Sequence, residues 1–232
     1  MMPRDEPVEG LLLLDKPAHK SSFYLVQRIR ALTGVKKVGH AGTLDPFATG
    51  LMILLVGKNY TRQSDRFLMS DKMYETTLRL GFETATFDLD AEPHSVCDRV
   101  PSIQEVHRAI EAFQGLIQQV PPMYSAKKVG GVPLYKLARR DVVVERAACA
   151  VNVEITLLDY SYPYLSLRVR CSKGTYIRSL GHDIGKALGV GAYLTALRRL
   201  SSGNFSIDDA CTLDRLEADP ALIGSRLVSL VS

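Results

Sequence analysis

The hydrophobic positions of this chain follow β-strand patterns in five short segments. Residues 10–17 and 51–56 are nearly continuous apolar runs, which are typical of buried strands, and a proline ends the first of them. In residues 72–80 the apolar side chains recur at every second position, which predicts a half-buried strand. Residues 151–158 and 164–171 together predict an antiparallel hairpin.

Helix signals follow the first strand and recur twice later in the chain. The first predicted helix is capped by Ser21–Ser22 and ends at Gly34. The second covers residues 102–115 and begins with a Ser-x-x-Glu capping box. The third covers residues 175–188. Residues 118–140 are rich in proline and glycine, which predicts a loop with a short helix at its end.

The order of these strands and helices is irregular. It favours a mixed, mainly antiparallel β-sheet flanked by helices and loops, in the α/β (α+β) class, over a regular βαβ winding. The 232 residues are 46% hydrophobic and 23% charged, which is typical of a globular protein with a substantial core and excludes a disordered or low-complexity chain. Because the sequence has no internal repeat and no linker, we predict a single domain over residues 1–232.

No segment of the sequence predicts a membrane span or a secretion signal. The longest apolar run, residues 51–56, has six residues, whereas a membrane-spanning helix needs about 20. The N-terminus carries no apolar signal region, so we expect a cytoplasmic protein. The four cysteines form no CxxC pair, which predicts buried reduced thiols rather than a zinc or redox site.

The charge is unevenly distributed along the chain. Residues 120–200 hold 13 Lys and Arg against five Asp and Glu, whereas the remainder holds 16 against 20. A basic segment inside a nearly neutral protein indicates a polyanionic partner. A solvated basic surface would give the same counts, so charge alone leaves both interpretations open.

A glycine-rich loop over residues 38–50 contains the first candidate for chemistry. Glycines flank Asp45, and the proline after it favours an extended backbone. A carboxylate on a rigid loop beside a buried strand suits a nucleophile or a base. The same residues also fit an Asx-type turn with a purely structural role. The segment lacks the phosphate-loop pattern GxxxxGK[ST].

Two further segments carry candidate binding residues. Lys173 and Arg178 stand at the start of the third predicted helix, where they could bind an anion or simply point to solvent. Residues 123–140 interleave aromatic and basic side chains, which suits stacking on RNA bases but also fits a surface loop. The five histidines lack metal-binding spacing, so we predict no metal site.

Seven short motifs occur in order between about residues 10 and 215. The longest is the run Gly39-His-Ala-Gly-Thr-Leu-Asp-Pro-Phe-Ala-Thr-Gly50. The other six are Leu13–Pro17, Asp71–Tyr74, Thr84–Asp90, Pro122–Ala126, Cys171–Arg178 and Leu197–Leu200. Together they closely resemble the signature of the TruB family of tRNA pseudouridine synthases.

This resemblance implies a pseudouridine synthase fold and an isomerase that acts on tRNA. Members convert the uridine at position 55, in the T stem-loop, to pseudouridine. They break the N1–C1′ bond, turn the uracil over and join C5 to C1′. The resemblance implies no cofactor. Because the uridine lies inside a folded loop, it must be flipped out before it can react.

The resemblance also implies roles for individual residues. Asp45 matches the catalytic aspartate, which either attacks the nucleoside or takes a sugar proton on the way to a glycal. Arg178 matches the arginine that pairs with this aspartate, and Tyr74 the tyrosine that stacks on the target base. His40 matches the residue that fills the space the base vacates. The positions that match other pocket-lining residues are Lys16, Lys173, Tyr176 and Leu197.

The basic loop over about residues 118–145 corresponds to the family's RNA-binding thumb, which folds over the RNA. This match explains the uneven charge better than a solvated surface does. The candidate RNA-binding residues in the loop are Tyr124, Lys127, Lys128, Lys136, Arg139 and Arg140.

Typical family members end in a small RNA-binding domain of the PUA fold. Only 17 residues follow Arg215 here, and segments of fewer than about 40 residues rarely fold unaided. We therefore expect no PUA domain, weaker contacts with the acceptor side of the tRNA and no guide RNA. Separately, we expect a monomer. Two rival functions stay open: a synthase for another uridine or another RNA, and an RNA-binding or tRNA-folding protein. An intact set of Asp45, Tyr74 and Arg178 favours the enzyme, because binding alone does not require it.

Overall fold

A computed structural model describes residues 8–140 and 142–229 of the chain. Its backbone divides into two compact units, one formed by residues 1–74 and 198–232 and the other by residues 75–197. The fold is the predicted mixed α/β type, with a mainly antiparallel sheet and flanking helices. The assignment of one catalytic domain to the whole chain stays a prediction.

The first unit contains the N-terminal strands and the C-terminal elements. Its elements are β1 (Gly10–Lys16), α1 (Ser22–Thr33), β2 (Val38–Ala41), β3 (Thr49–Val56), α2 (Lys58–Thr61), α3 (Ser64–Leu68), the start of β4 (Lys72–Leu80), the end of β12 (Ala192–Ser202), β13 (Phe205–Ser206), a 3-10 turn (Ile207–Asp209), β14 (Cys211–Thr212), α7 (Leu213–Ala218), α8 (Leu222–Arg226) and β15 (Leu227–Val228). In this unit the strands lie in the order β14-β1-β3-β12. In addition, β2 pairs with β3 outside this order.

Strand β1 is the centre of the first unit because it is buried on both faces. All four of its leucines, residues 11–14, are at most 5% exposed, and burying each one contributes about 2 kcal/mol. Two of them, Leu11 and Leu13, pack with Leu51, Ile53 and Leu55 of β3. The continuous apolar runs of β1 and β3 are therefore the sequence pattern of strands that have no solvent-facing side.

Helix α1 begins and ends where its sequence predicts. The Ser21 hydroxyl accepts a 3.1 Å hydrogen bond from the Tyr24 backbone N–H and so caps the first turn. Gly34 adopts a left-handed conformation with φ 71° and donates to the Arg30 carbonyl. This conformation suits glycine because it has no Cβ.

The second unit holds the basic half of the chain. Its elements are most of β4, β5 (Phe82–Glu83), β6 (His94–Ser95), α4 (Ile103–Glu111), β7 (Gly115–Gln119), β8 (Lys128–Val129), β9 (Val132–Pro133), α5 (Leu134–Ala138), β10 (Cys149–Ser161), β11 (Tyr164–Cys171), α6 (Ile177–Ala187) and most of β12. Its strands lie in the order β12-β4-β11-β10-β7. The predicted hairpin, β10 with β11, and the alternating strand β4 are confirmed.

The structure differs from the sequence predictions in several places. Residues 38–41 form strand β2 rather than loop, because β3 supplies them with an antiparallel partner. Strand β12 was not predicted, since the glycines before it interrupt the apolar pattern. Helix α4 ends at Glu111, before the predicted glycine stop, and α6 begins at Ile177.

Two further sequence predictions concern cysteines and membrane helices. All four cysteines are free thiols, as predicted, but only Cys171 and Cys211 are buried. Within the described ranges, every helix is too short or too polar to cross a membrane.

Candidate active site

Asp45 lies half-buried on the segment that connects β2 to β3 in the first unit. The Ser22 hydroxyl accepts a hydrogen bond from the Leu44 N–H at 2.9 Å and donates one to the Leu44 carbonyl at 3.0 Å. On the other side of Asp45, its own carbonyl accepts from the Ala48 N–H at 3.1 Å. The backbone that carries the carboxylate is thus held immediately before and after it, as a preorganised catalytic group requires.

Lys16 holds the same segment from the core of the first unit. Its side chain is fully buried, and its ammonium donates to the carbonyls of Pro17, Pro46 and Ala48 at 2.9, 3.0 and 2.5 Å. Burial lowers the pKa of Lys16 to about 8, although the negative charge of Asp45 opposes the shift. The buried ammonium therefore both fixes the Asp45 segment and places a positive charge near its carboxylate.

His40 lies on β2, a few residues before Asp45 in the same unit. Burial and the positive charge of Arg199 lower the pKa of its imidazole, so the ring is neutral near pH 7. Its Nδ1 atom is buried and has no hydrogen-bond partner in the part of the chain that the structure describes. A neutral ring with a spare polar atom is suited to contact a base or sugar.

Arg178 is the second residue of α6 and belongs to the second unit. It does not point to solvent, because only 4% of it is exposed. Its guanidinium donates to the Thr86 carbonyl at 2.9 Å and the Tyr124 carbonyl at 2.7 Å. It also forms an ion pair with Asp88, with Nη1 and Oδ2 3.2 Å apart. The fork of the guanidinium is therefore held in one orientation.

The turn that presents Asp88 is itself tightly constrained. The Asp88 carboxylate accepts from the Asp90 N–H at 2.9 Å, and the Asp88 carbonyl accepts from the Thr84 hydroxyl at 2.8 Å. Phe87 adopts a positive φ of 63°, a conformation that costs free energy for a residue with a side chain. Its ring stacks on His182 with centroids 4.0 Å apart. Burial raises the pKa of the Asp88 carboxyl, while hydrogen bonds from the Thr86 side chain and the Asp90 N–H, together with the charge of Arg178, oppose the shift.

The remaining predicted pocket residues occupy different environments. Tyr74, on β4 in the first unit, and Leu197, on β12 in the second, are buried. Tyr176 occupies the N-cap position of α6, and the side-chain amide of Gln119 bridges its backbone N–H and carbonyl at 2.8 and 3.1 Å. Lys173 is exposed.

The predicted thumb segment of the second unit contains the short elements β8, β9 and α5. Tyr135 donates from its backbone to Ser125, and Arg139 lies over the Tyr135 ring at 5.6 Å. The Lys127 ammonium contacts the Cys149 thiol at 3.0 Å. Four predicted RNA-binding side chains of the segment are exposed, namely Lys128, Lys136, Arg139 and Arg140. The other two, Tyr124 and Lys127, are half-buried.

Within each unit the structure brings predicted site residues together. In the first, Lys16 contacts the segment of Asp45. In the second, Arg178 contacts the backbone of Tyr124. Asp45 and Arg178 belong to different units, and their pairing stays a prediction. Over residues 8–140 and 142–229, no group of three or more His, Cys, Asp or Glu side chains could hold a metal ion.

Family models cover nearly the whole region that contains these residues. A model of the N-terminal domain of TruB family pseudouridylate synthases matches residues 30–177. The chain belongs to the TruB family. A model of the C-terminal domain of tRNA pseudouridylate synthase B matches residues 178–225. The predicted family and the isomerase class are confirmed.

Individual relatives resemble this TruB-family chain over most of their length. A tRNA pseudouridine synthase B from Chlamydia muridarum is 51% identical over 212 residues, which are 91% of this chain and 88% of that protein. The enzyme of the same name from Opitutus terrae is 47% identical over 223 residues, 95% of this chain and 91% of its own.

Solved structures support the TruB-family fold. A Cbf5-Nop10-Gar1 complex contains a chain with a TM-score of 0.74 and 27% identity, and the match covers 98% of this chain and 63% of that one. An H/ACA RNP bound to a substrate RNA containing 2′-deoxyuridine gives a TM-score of 0.70 and 26% identity, over 95% of this chain and 58% of the other.

Sequence reasoning missed two groups in this TruB-family chain. Asp88 was recognised only as part of a motif, and its contact with Arg178 spans 90 positions of the sequence. Arg199 was recognised only within the Leu197–Leu200 motif, yet it is 1% exposed and contacts the backbone of the Asp45 segment. Neither contact has a local sequence signal, but an Arg-Arg pair inside an apolar strand is unusual enough to draw attention.

Proposed function

We propose that this TruB-family chain converts the uridine at position 55, in the T stem-loop of tRNA, to pseudouridine. The observation that carries the proposal is the 51% identity with tRNA pseudouridine synthase B over 91% of the chain. The anchored carboxylate of Asp45 supports it from the structure. Substrate and product are isomers, so the reaction consumes no oxidant, water or group donor.

Asp45 is the proposed catalytic residue. Either it attacks the nucleoside at C1′, or it takes a sugar proton to give a glycal, and the N1–C1′ bond breaks on both routes. Both routes require an ionised carboxylate, and the positive charge of Lys16 favours that form. The held backbone on both sides of Asp45 keeps the carboxylate in place before the substrate arrives.

The other residues bind and orient the flipped nucleotide. Arg178 pairs with Asp45, and Tyr74 stacks on the detached uracil and assists loss of the C5 proton. His40, a neutral ring with an unpaired buried nitrogen, fills the space that the base leaves. Lys173, Tyr176 and Leu197 line the pocket.

The thumb segment supplies the electrostatic part of RNA binding. The four exposed cations among its candidate residues can neutralise phosphates, and its tyrosines can stack on bases. We further propose that the chain acts in the cytoplasm as a monomer, without a guide RNA and without a cofactor. This contrasts with the complexes in which its structural relatives were solved, which contain further proteins or RNA.

The test is tritium release from a tRNA transcript labelled at C5 of uridine. Because C5 loses its hydrogen when it becomes bonded to C1′, each conversion releases one tritium. We expect one equivalent per tRNA with the wild type, and none from a transcript in which uridine 55 is cytidine. Release that persists with the altered transcript would favour a synthase for another uridine, and tight binding without release would favour an RNA-binding protein.

The variant Asp45→Asn tests the aspartate. It removes the charge but keeps the shape, so we expect release to be abolished while tRNA affinity stays within a few-fold. Asp209→Asn is the matched control, because Asp209 is an exposed carboxylate of the same unit. Loss of binding in parallel with activity would remove the catalytic role of Asp45.

A further inference from the structure

Arg199 contacts the Asp45 segment at both of its ends. Its Nη2 donates to the Gly42 carbonyl at 3.2 Å, and its Nε donates to the Leu51 carbonyl at 2.6 Å. Asp45 lies between these two carbonyls in the sequence. One guanidinium therefore spans the loop that carries the carboxylate, from the end of β2 to the start of β3.

Two glycines make room for Arg199, Gly50 for its backbone and Gly42 for its guanidinium. At Gly50, whose φ is 99°, an added Cβ would lie 2.3 Å from the Arg199 carbonyl oxygen and 2.6 Å from its nitrogen. The missing side chain lets β3 and β12 approach closely, in a parallel register that pairs Gly50 with Arg199. At Gly42, whose φ is 87°, an added Cβ would lie 3.3 Å from Nη1 of Arg199. The backbone is thus shaped around the arginine on both sides.

The neighbouring arginine has a different role. Successive side chains of a strand point to opposite faces, and Arg198 forms a two-pronged ion pair with Asp15 at 3.0 and 2.7 Å. About 39% of its side chain is exposed, whereas Arg199 is 1% exposed. Arg198 and Arg199 therefore form a natural pair of test and control positions.

Burying a guanidinium is costly unless every part of it is hydrogen-bonded. The positive charge of Arg199 also lies close to titratable groups of the first unit. Burial lowers the pKa of His40, and the charge of Arg199 lowers it further. Burial also lowers the pKa of Lys16, whereas the charge of Asp45 raises it and the charge of Arg199 lowers it. Arg199 binds one carbonyl before Asp45 and one after it, and this arrangement indicates a role beyond packing.

We propose that Arg199 is a positioning residue for Asp45, which holds the two ends of the segment 42–51 so that the carboxylate meets the substrate in a single geometry. This inference rests on the proposed function, because it assumes that Asp45 is the catalytic carboxylate. A lysine at this position keeps the charge, but all its donors lie on one nitrogen, whereas Arg199 uses the separate atoms Nε and Nη2 to bind the two carbonyls.

The first test compares Arg199→Lys with Arg198→Lys. We expect Arg199→Lys to lower the single-turnover rate of pseudouridine formation by about tenfold or more, with the tRNA Kd within threefold. Arg198→Lys should stay within twofold of the wild type in both. A wild-type rate for Arg199→Lys, an equal loss in both variants, or a weakening of tRNA binding that matches the loss of rate would overturn the inference.

Hydrogen exchange of the free enzyme supplies a readout that does not depend on activity. In Arg199→Lys, amides of residues 42–51 should exchange faster, whereas those of α1 should be unchanged. Unchanged exchange in 42–51, or faster exchange throughout the unit, would overturn the positioning role. An inactive wild type would instead overturn the proposed function, so the two failures are distinguishable.

A second pair of variants covers the case in which Arg199→Lys does not fold. Gly42→Ala places a methyl against the guanidinium, whereas Gly34→Ala has the same kind of positive φ, 71°, with open space around it. Both substitutions strain the backbone, but only the first displaces Arg199. We expect Gly42→Ala to lower the rate about tenfold and Gly34→Ala to keep it within twofold. Equal rates for the two variants would overturn the inference.

Discussion

Arg178 and Asp88 form an ion pair in which both side chains are almost fully buried, 5% and 2% exposed, with Nη1 and Oδ2 3.2 Å apart. The pair joins the first turn of α6 to the turn after β5, within the second unit. The guanidinium also donates to two backbone carbonyls, those of Thr86 and Tyr124. Because a buried charge is tolerated only when it is paired and hydrogen-bonded, each partner depends on the other.

Replacing Asp88 with Asn should destabilise the protein strongly. The amide keeps the shape but removes the negative charge that lies 3.2 Å from the guanidinium of Arg178, and removing one partner of a buried pair costs about 3 kcal/mol. The measurement is urea unfolding monitored by circular dichroism. Asp90→Asn is the control, since Asp90 is exposed, and a change of at most about 0.5 kcal/mol is expected for it. Equal stabilities of the two variants would show that the ion pair contributes nothing.

Replacing Arg178 with Lys should slow pseudouridine formation by about a hundredfold. The ammonium keeps the positive charge, but it cannot reach the Thr86 carbonyl, the Tyr124 carbonyl and Asp88 at once. The measurement is single-turnover tritium release, with tRNA affinity measured separately. Arg168→Lys serves as the control because the ion pair of Arg168 with Glu75 is exposed. A near-normal rate in Arg178→Lys would remove the proposed pairing with Asp45.

Stability should rise between pH 7.5 and 10 because of Lys16. Its pKa is lowered from 10.5 to about 8, so in this range the unfolded chain binds more protons than the folded one. The free energy of unfolding then increases with pH, and the cost of burying the charged ammonium is gone once both states are neutral. Relative to Lys16→Met, the wild type should gain about 2 kcal/mol across this range.

The measurement for Lys16 is urea unfolding of both proteins at several pH values. All other titrating groups are shared, so the difference between the two curves isolates Lys16. A difference that stays constant with pH would mean that the pKa of this lysine is not lowered.

The sequence by itself determined the family, the isomerase class and those elements whose signals are local. Each of these signals is contained in a short stretch of the chain. They are the apolar run of β1, the Ser21 and Gly34 caps of α1, the alternation in β4 and the hairpin of β10 and β11. Local signals suffice there, because periodicity and capping act over one or two turns.

Only the tertiary structure decided the elements and contacts that need a distant partner. Residues 38–41 carry no clear alternation and become β2 because β3 offers an edge to pair with. The burial of Lys16 and Arg199 depends on carbonyls up to 157 positions away, and the partner of Arg178 lies 90 positions away in the sequence. A charged side chain is predicted to be exposed unless the groups that satisfy its hydrogen bonds are known. Only the fold brings those groups together.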